Sequence, residues 1–185
     1  MKIDNSIRKK AIYVGVMILL AYGVLISSVT QAKIPVLLAD IISGLSVIGI
    51  AVLMYPFFKV FNNFVSRIYL VLRYIEGILM VIAGFVFLVS PDMKEIIYND
   101  IHIYVFILGA LVFYYLLYLG KLVPRFISIW GLLGTAILAL STGLKLFGQN
   151  FPILDYFLIL IVTNEVFLAG WLIFKGFNKV TTKDF

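Results

Sequence analysis

Six apolar runs, each long enough to cross a bilayer, occupy most of this chain. They fall at about 11–30, 35–60, 65–90, 101–120, 126–147 and 153–176. A helix needs about 20 predominantly apolar residues to span the ~30 Å hydrocarbon layer, and every run reaches that length. Only 13% of the 185 residues are charged, about half the ~25% of a soluble domain, so a water-soluble globule has too little polar surface. The expected fold is all-α: a single transmembrane domain over 1–185, built as a bundle of six helices.

The breaks between runs carry the expected punctuation: QAKIP, KVFNN, SPDMKEIIYND, GKLVPR and GQNFP. Pro56, in LMYPFFK, marks the end or a kink of the second helix. The first run follows the basic MKIDNSIRKK and extends for about 19 residues, beyond the roughly 7–15 of a signal-peptide core. It reads as a retained helix.

Lysine and arginine placement predicts orientation. With the N-terminus inside, the cytoplasmic ends hold Lys2, Arg8, Lys9, Lys10, Lys59, Arg67, Lys121, Arg125, Lys175, Lys179 and Lys183, and the other side holds only Lys33, Lys94 and Lys145. Both termini are therefore expected in the cytoplasm of a plasma-membrane protein. The net charge of +6 then reports topology and contact with anionic lipid headgroups. It does not indicate nucleic acid, which requires a soluble basic surface with stacking aromatics. Tyr55, Tyr69, Tyr118, Trp130 and Trp171 fall near the predicted inner ends, and Tyr98, Tyr104 and Tyr156 near the outer ends, as an interfacial belt would place them.

No cysteine and one histidine, His102, are present. Disulfides, thiolate metal sites, multi-histidine metal sites and bis-histidine haem within one chain are excluded. No cofactor is expected. Lys145 lies too near a helix end to carry a retinal Schiff base.

Charge inside the membrane is the informative exception. Glu76 lies twelve residues beyond Phe64, ~18 Å into the layer. Arg73 lies one turn nearer the inner side, and Glu165, preceded by Asn164, is central in the sixth run. Each charge at helix centre costs roughly 2.5–3.5 kcal/mol on insertion scales, so all three are expected to face the bundle interior. Arg73 and Glu76, three residues apart, share one helix face with Tyr69, Met80 and Gly84. One cation and two carboxylates leave a carboxylate in excess, expected to take up a proton. Two readings stay open: an Arg73–Glu76 pair that is purely structural, or a central ligand or proton site of Arg73, Glu76, Asn164 and Glu165, with Asp40 toward the outer mouth. Asp40, Ser43, His102, Lys145 and Asp155 form a second polar layer, read as an outer vestibule or as helix-end solvation. Gly23, Ser27, Ser43, Ser46, Gly49, Gly131, Gly134, Ala169 and Gly170 are expected to be helix-packing residues. Glu76 and Glu165 each sit on the third helix of a three-helix half, as an inverted repeat would place them.

Three stretches carry a resemblance: RYIEGILMVIAG, LLYLGKLVPRFISIWGLLG and NEVFLAGWLIFKGFN. Together they resemble a bacterial and archaeal membrane family, the domain-of-unknown-function family 4386, from about residue 10 to 178. The resemblance implies a six-helix membrane fold and draws attention to Arg73, Glu76, Pro124, Arg125, Glu165 and Lys175. It implies no activity. Pro124 and Arg125 read as the start of the fifth helix, with Arg125 at headgroup level.

Three functions compete. A small transporter or ion-coupled carrier predicts a polar cavity reaching the midplane. A non-catalytic assembly, sensor or immunity-type component predicts a dry core with the charges fully paired. A membrane enzyme ranks last, because no paired-aspartate, His-rich or Ser-His arrangement occurs at useful depth. The expectation is that the protein is not an enzyme.

Overall fold

The computed structural model describes residues 5–149 and 158–178. Among these residues every regular element is helical. The helices are α1 (Asn5–Ala21), α2 (Lys33–Phe58), α3 (Asn63–Phe87), the short α4 (Pro91–Ile96), α5 (Ile103–Gly120), α6 (Arg125–Leu146) and α7 (Leu158–Phe174). A 3₁₀ segment, Tyr22–Ser28, continues α1, and a π turn, Ile97–His102, joins α4 to α5.

Five continuous helical stretches are long and apolar enough to span a membrane, and α7 is a shorter apolar helix. The expected polar connection at SPDMKEIIYND is itself helical. Ser90 caps α4 by accepting from the Met93 N–H at 3.4 Å, and Pro91 opens the helix, a pairing that favours a helix start. The stretch Pro91–Gly120 then runs on without a break. Pro56 lies inside α2, two residues from its end. Residues 153–157 of the sixth predicted run, with Asp155 and Tyr156, lie outside the described residues.

The six long helices close into a ring. Each packs on its neighbour in the order α1, α2, α3, α5, α6, α7, and α7 returns to α1. Arg8 secures this closure by donating to the carbonyls of Leu172 and Ile173 at 2.9 and 2.6 Å, which satisfies otherwise orphaned acceptors at the end of α7. The beginning of α1 and the end of α7 therefore share one face of the bundle, here called the terminal face. Asn178 ties the same face together: its side chain donates to Lys121 O and its backbone N–H to Leu122 O.

Small residues set the closest approaches. Gly44 and Gly77 bring α2 and α3 into backbone contact, since a Cβ on either would overlap the carbonyl oxygen of the other. Gly131 accommodates the Tyr114 ring. Of the residues expected to pack, Gly23 meets Ser43 and Gly134 meets Ile161, whereas Gly170 faces open space.

The terminal half of the bundle is a solid plug. Phe58, Tyr69, Phe113 and Tyr114 are almost fully buried and in ring contact, with Phe58 and Tyr69 centroids 5.1 Å apart. Met54, Leu117 and Leu172 fill the space around them. Tyr69 is thus a core residue and not a member of an interfacial belt: it lies on the inward face of α3, and the ring closes over it.

Candidate functional site

Above the plug the ring opens into a cavity of about 280 Å³. Every long helix contributes to its wall: Ile18 from α1, Val47 from α2, Arg73 from α3, Phe113 from α5, Leu138 from α6 and Glu165 from α7. The lining is mostly apolar, with Arg73, Glu76, Glu165, Tyr22 and His102 as its polar members. A second cavity of about 570 Å³ lies toward the opposite face, against Ser27, Gln31, Lys94, Glu95 and Tyr98. Both are lined by Leu25, His102, Ile103 and Phe106. These residues, here called the neck, stand between the two cavities, the mouth and the chamber.

Arg73 and Glu76 close on each other as their spacing predicts. Nη1 of Arg73 donates to both Glu76 oxygens, at 2.9 and 2.7 Å. The side chains are 9% and 2% exposed, so this pair is desolvated. The rings of Tyr69, Phe106 and Phe113 surround the guanidinium at 5.7–5.9 Å, within cation–π range. Gly109 makes room for the pair on α5: a Cβ there would stand 3.3 Å from Glu76 Oε2 and 3.4 Å from Arg73 Nε.

Glu165 lies on a different part of the wall. It is half-buried and accepts a hydrogen bond from the Tyr22 hydroxyl at 2.7 Å. Among the described residues that is its hydrogen-bond partner, and no lysine or arginine forms an ion pair with it. The cavity therefore holds one neutralised pair and one carboxylate bound to a phenol.

The other two candidates lie elsewhere. Asn164 is fully buried and turned toward α6, where its side-chain amide donates to Ile127 O at 2.9 Å. Asp40 is fully buried toward the end of α2 opposite the terminal face, 2.7 Å from Lys94 and 3.2 Å from the Tyr98 hydroxyl, which donates to it. Lys94 is only 4% exposed. It does not extend into a loop as the sequence suggests, because α4 packs on α3 and its Lys94 side chain reaches Asp40 of α2. Of the second polar layer, Ser43 donates to Leu20 O at 3.3 Å, Lys145 is exposed, and His102 occupies the neck, its ring 4.9 Å from that of Tyr98.

Sequence reasoning missed Tyr22, Gly109 and Lys94. Ser90-Pro91-Asp92, a helix-start pattern, could have revealed α4 and hence Lys94. Nothing local to Tyr22 signals its role, which depends on α1 meeting α7.

An apolar helical ring enclosing charged groups defines an integral membrane protein with several membrane-crossing helices. Residues 94–176 match the family described as Domain of unknown function (DUF4386), and the chain resembles that family over this stretch. The stretch includes Lys94, Gly109, Pro124, Arg125 and Glu165; Arg73 and Glu76 precede it. No curated protein and no solved structure matches the chain. Within the matched stretch, Pro124 caps α6, and Arg125 stands over the Tyr118 ring at 5.2 Å, on an exposed helix end suited to headgroup contact.

Proposed function

We propose that the protein is a small ligand-binding membrane protein acting as a carrier, with the inner chamber as its site. The supporting observation is the chamber itself: a cavity bounded by all six long helices, holding Glu165 and the Arg73–Glu76 pair, and adjoining a second cavity across His102 and Phe106. A chamber of about 280 Å³ lies just below the roughly 300–1,000 Å³ range of ligand pockets and suits a small solute. In this reading Arg73 and Glu76 form a rigid dipole in the wall, Glu165 and Tyr22 are the adaptable polar contacts, and Asp40 with Lys94 fastens the mouth. Asn164 positions Glu165 by holding α7 to α6. The positive-inside bias puts the plugged terminal face in the cytoplasm, so the mouth opens outward. Transport requires the Phe58–Tyr69–Phe113 plug to part in a second state.

One observation favours the alternative of a non-catalytic assembly or sensor component: Arg73 and Glu76 neutralise each other without a ligand. A thermal-shift screen of small solutes in lipid nanodiscs, on wild type and on Leu138→Trp, separates the two. The carrier reading expects solutes that stabilise the wild type and lose that effect when the indole fills the chamber. If no solute distinguishes the two proteins, the chamber is not a ligand site.

A further inference from the structure

The charges on the chamber wall select among ligands. Arg73 brings one positive charge, which Glu76 balances, and Glu165 is a further carboxyl that an entering cation would hold ionised. An anionic ligand would have to compete for Arg73 with Glu76, whose two oxygens already neutralise it, although Arg73 Nε carries no hydrogen bond. Three aromatic rings stand around its guanidinium. Among the described residues, the carboxylate with no lysine or arginine in an ion pair with it is Glu165, half-buried on the cavity wall and held by the Tyr22 hydroxyl. Around it the wall is apolar: Ile18, Leu25, Val47, Ile161 and Val162. At the mouth Lys94 is paired with Asp40, and Glu95 adds an exposed carboxylate to the lining. The access path is thus bordered by surplus negative charge, which raises the local concentration of cations.

Resting on the chamber being a ligand site, we infer that its ligand is a small organic monocation, a protonated amine on a compact apolar body, with Glu165 as counter-ion. Tyr22 fixes one carboxylate oxygen and leaves the other to accept from the ammonium. Ile18, Leu25 and Val47 line the wall around the apolar body, and Arg73, held by Glu76, does not repel the ligand as a free cation would. A cation that leaves water for this chamber needs such a counter-charge, because a buried unpaired charge is expensive.

The test uses three probes that share a phenyl body: 2-phenylethylamine, 2-phenylethanol and phenylacetate. Their binding to the full chain in phosphatidylcholine nanodiscs is measured by equilibrium dialysis at neutral pH. The expected order is amine over alcohol by at least tenfold, with phenylacetate weakest. Glu165→Gln should bring the amine down to the level of the alcohol and leave the alcohol unchanged. Tyr22→Phe should weaken the amine by a smaller factor. The ranking on wild type requires no variant, so a misfolded substitution does not suspend the test. If phenylacetate binds as well as the amine, or if Glu165→Gln retains the amine's advantage, the inference is wrong while the chamber remains a ligand site. If none of the three binds and Leu138→Trp behaves as wild type, the chamber reading falls with it.

Discussion

Replacing Glu76 by methionine removes the only carboxylate bonded to Arg73 among the described residues and leaves a guanidinium stranded in the bundle. Two routes give the size of the effect. Breaking a buried ion pair by deleting one partner costs about 3–5 kcal/mol in proteins generally. A single charge at the centre of a spanning helix costs roughly 2.5–3.5 kcal/mol on insertion scales. The pair here is almost fully desolvated, at 9% and 2% exposure, so both routes apply, and they overlap at about 3 kcal/mol. Arg73→Met should cost about as much, because it strands Glu76 instead. The double variant should recover most of the loss, since apolar replacement of a whole buried pair is neutral or stabilising by about 1–4 kcal/mol. Unfolding in detergent by added dodecyl sulfate, followed through the fluorescence of Trp130 and Trp171, reads all four proteins. Glu76→Met within about 1 kcal/mol of wild type, or a double variant no better than the worse single one, would refute the reasoning. The same logic makes Glu76 substitutions poor functional tests, because they first damage the wall.

Gly44→Ala drives a methyl into the Gly77 carbonyl, where only backbone can yield, and should cost about 1–3 kcal/mol as an overpacked site, seen as a lowered Tm in detergent. Lys94→Met strands the fully buried Asp40 and should cost about 3–5 kcal/mol, with faster hydrogen exchange across residues 91–102. Asn164→Leu loses one buried hydrogen bond to α6 and should cost about 0.5–1.5 kcal/mol, read as a lowered Tm in detergent.

The sequence was most legible where one element decides the outcome. Spanning length placed the helices, and a spacing of three put Arg73 on Glu76. Burial of Tyr69, Met80 and Gly84 along that same face followed from helix period alone. What depended on two elements meeting was harder. Glu165 was expected to converge with the arginine; its partner is instead Tyr22, supplied where α1 tightens into a 3₁₀ segment beside α7. Asn164 adjoins Glu165 in sequence, yet adjacent residues on a helix point about 100° apart, and this turns it toward α6. Lys94 resembled a surface lysine because its stretch was read as a loop; once α4 forms, the same polar sequence lies over Asp40. Gly44 stood among several small residues of α2, and only the crossing with α3 singles it out. The resemblance motifs Gly120, Pro124 and Gly176 mark the terminal face: Gly120 lies against the Phe61 ring, and Gly176, at φ +81°, lies beside Arg8.

The central claim is a chamber reached through one mouth and sealed at the other face. The chain has no cysteine, so single introduced thiols can be read without background. The decisive measurement is the labelling of Ile103→Cys at the neck, Met80→Cys in the chamber and Leu117→Cys in the plug, with a membrane-impermeant thiosulfonate added to one side of proteoliposomes at a time. The account predicts that Ile103→Cys and Met80→Cys react from the side bearing Lys94 and Glu95 only, and that Leu117→Cys stays unreactive from both. Protection of Met80→Cys from both sides while Ile103→Cys reacts, or labelling of Leu117→Cys at a comparable rate, would contradict it.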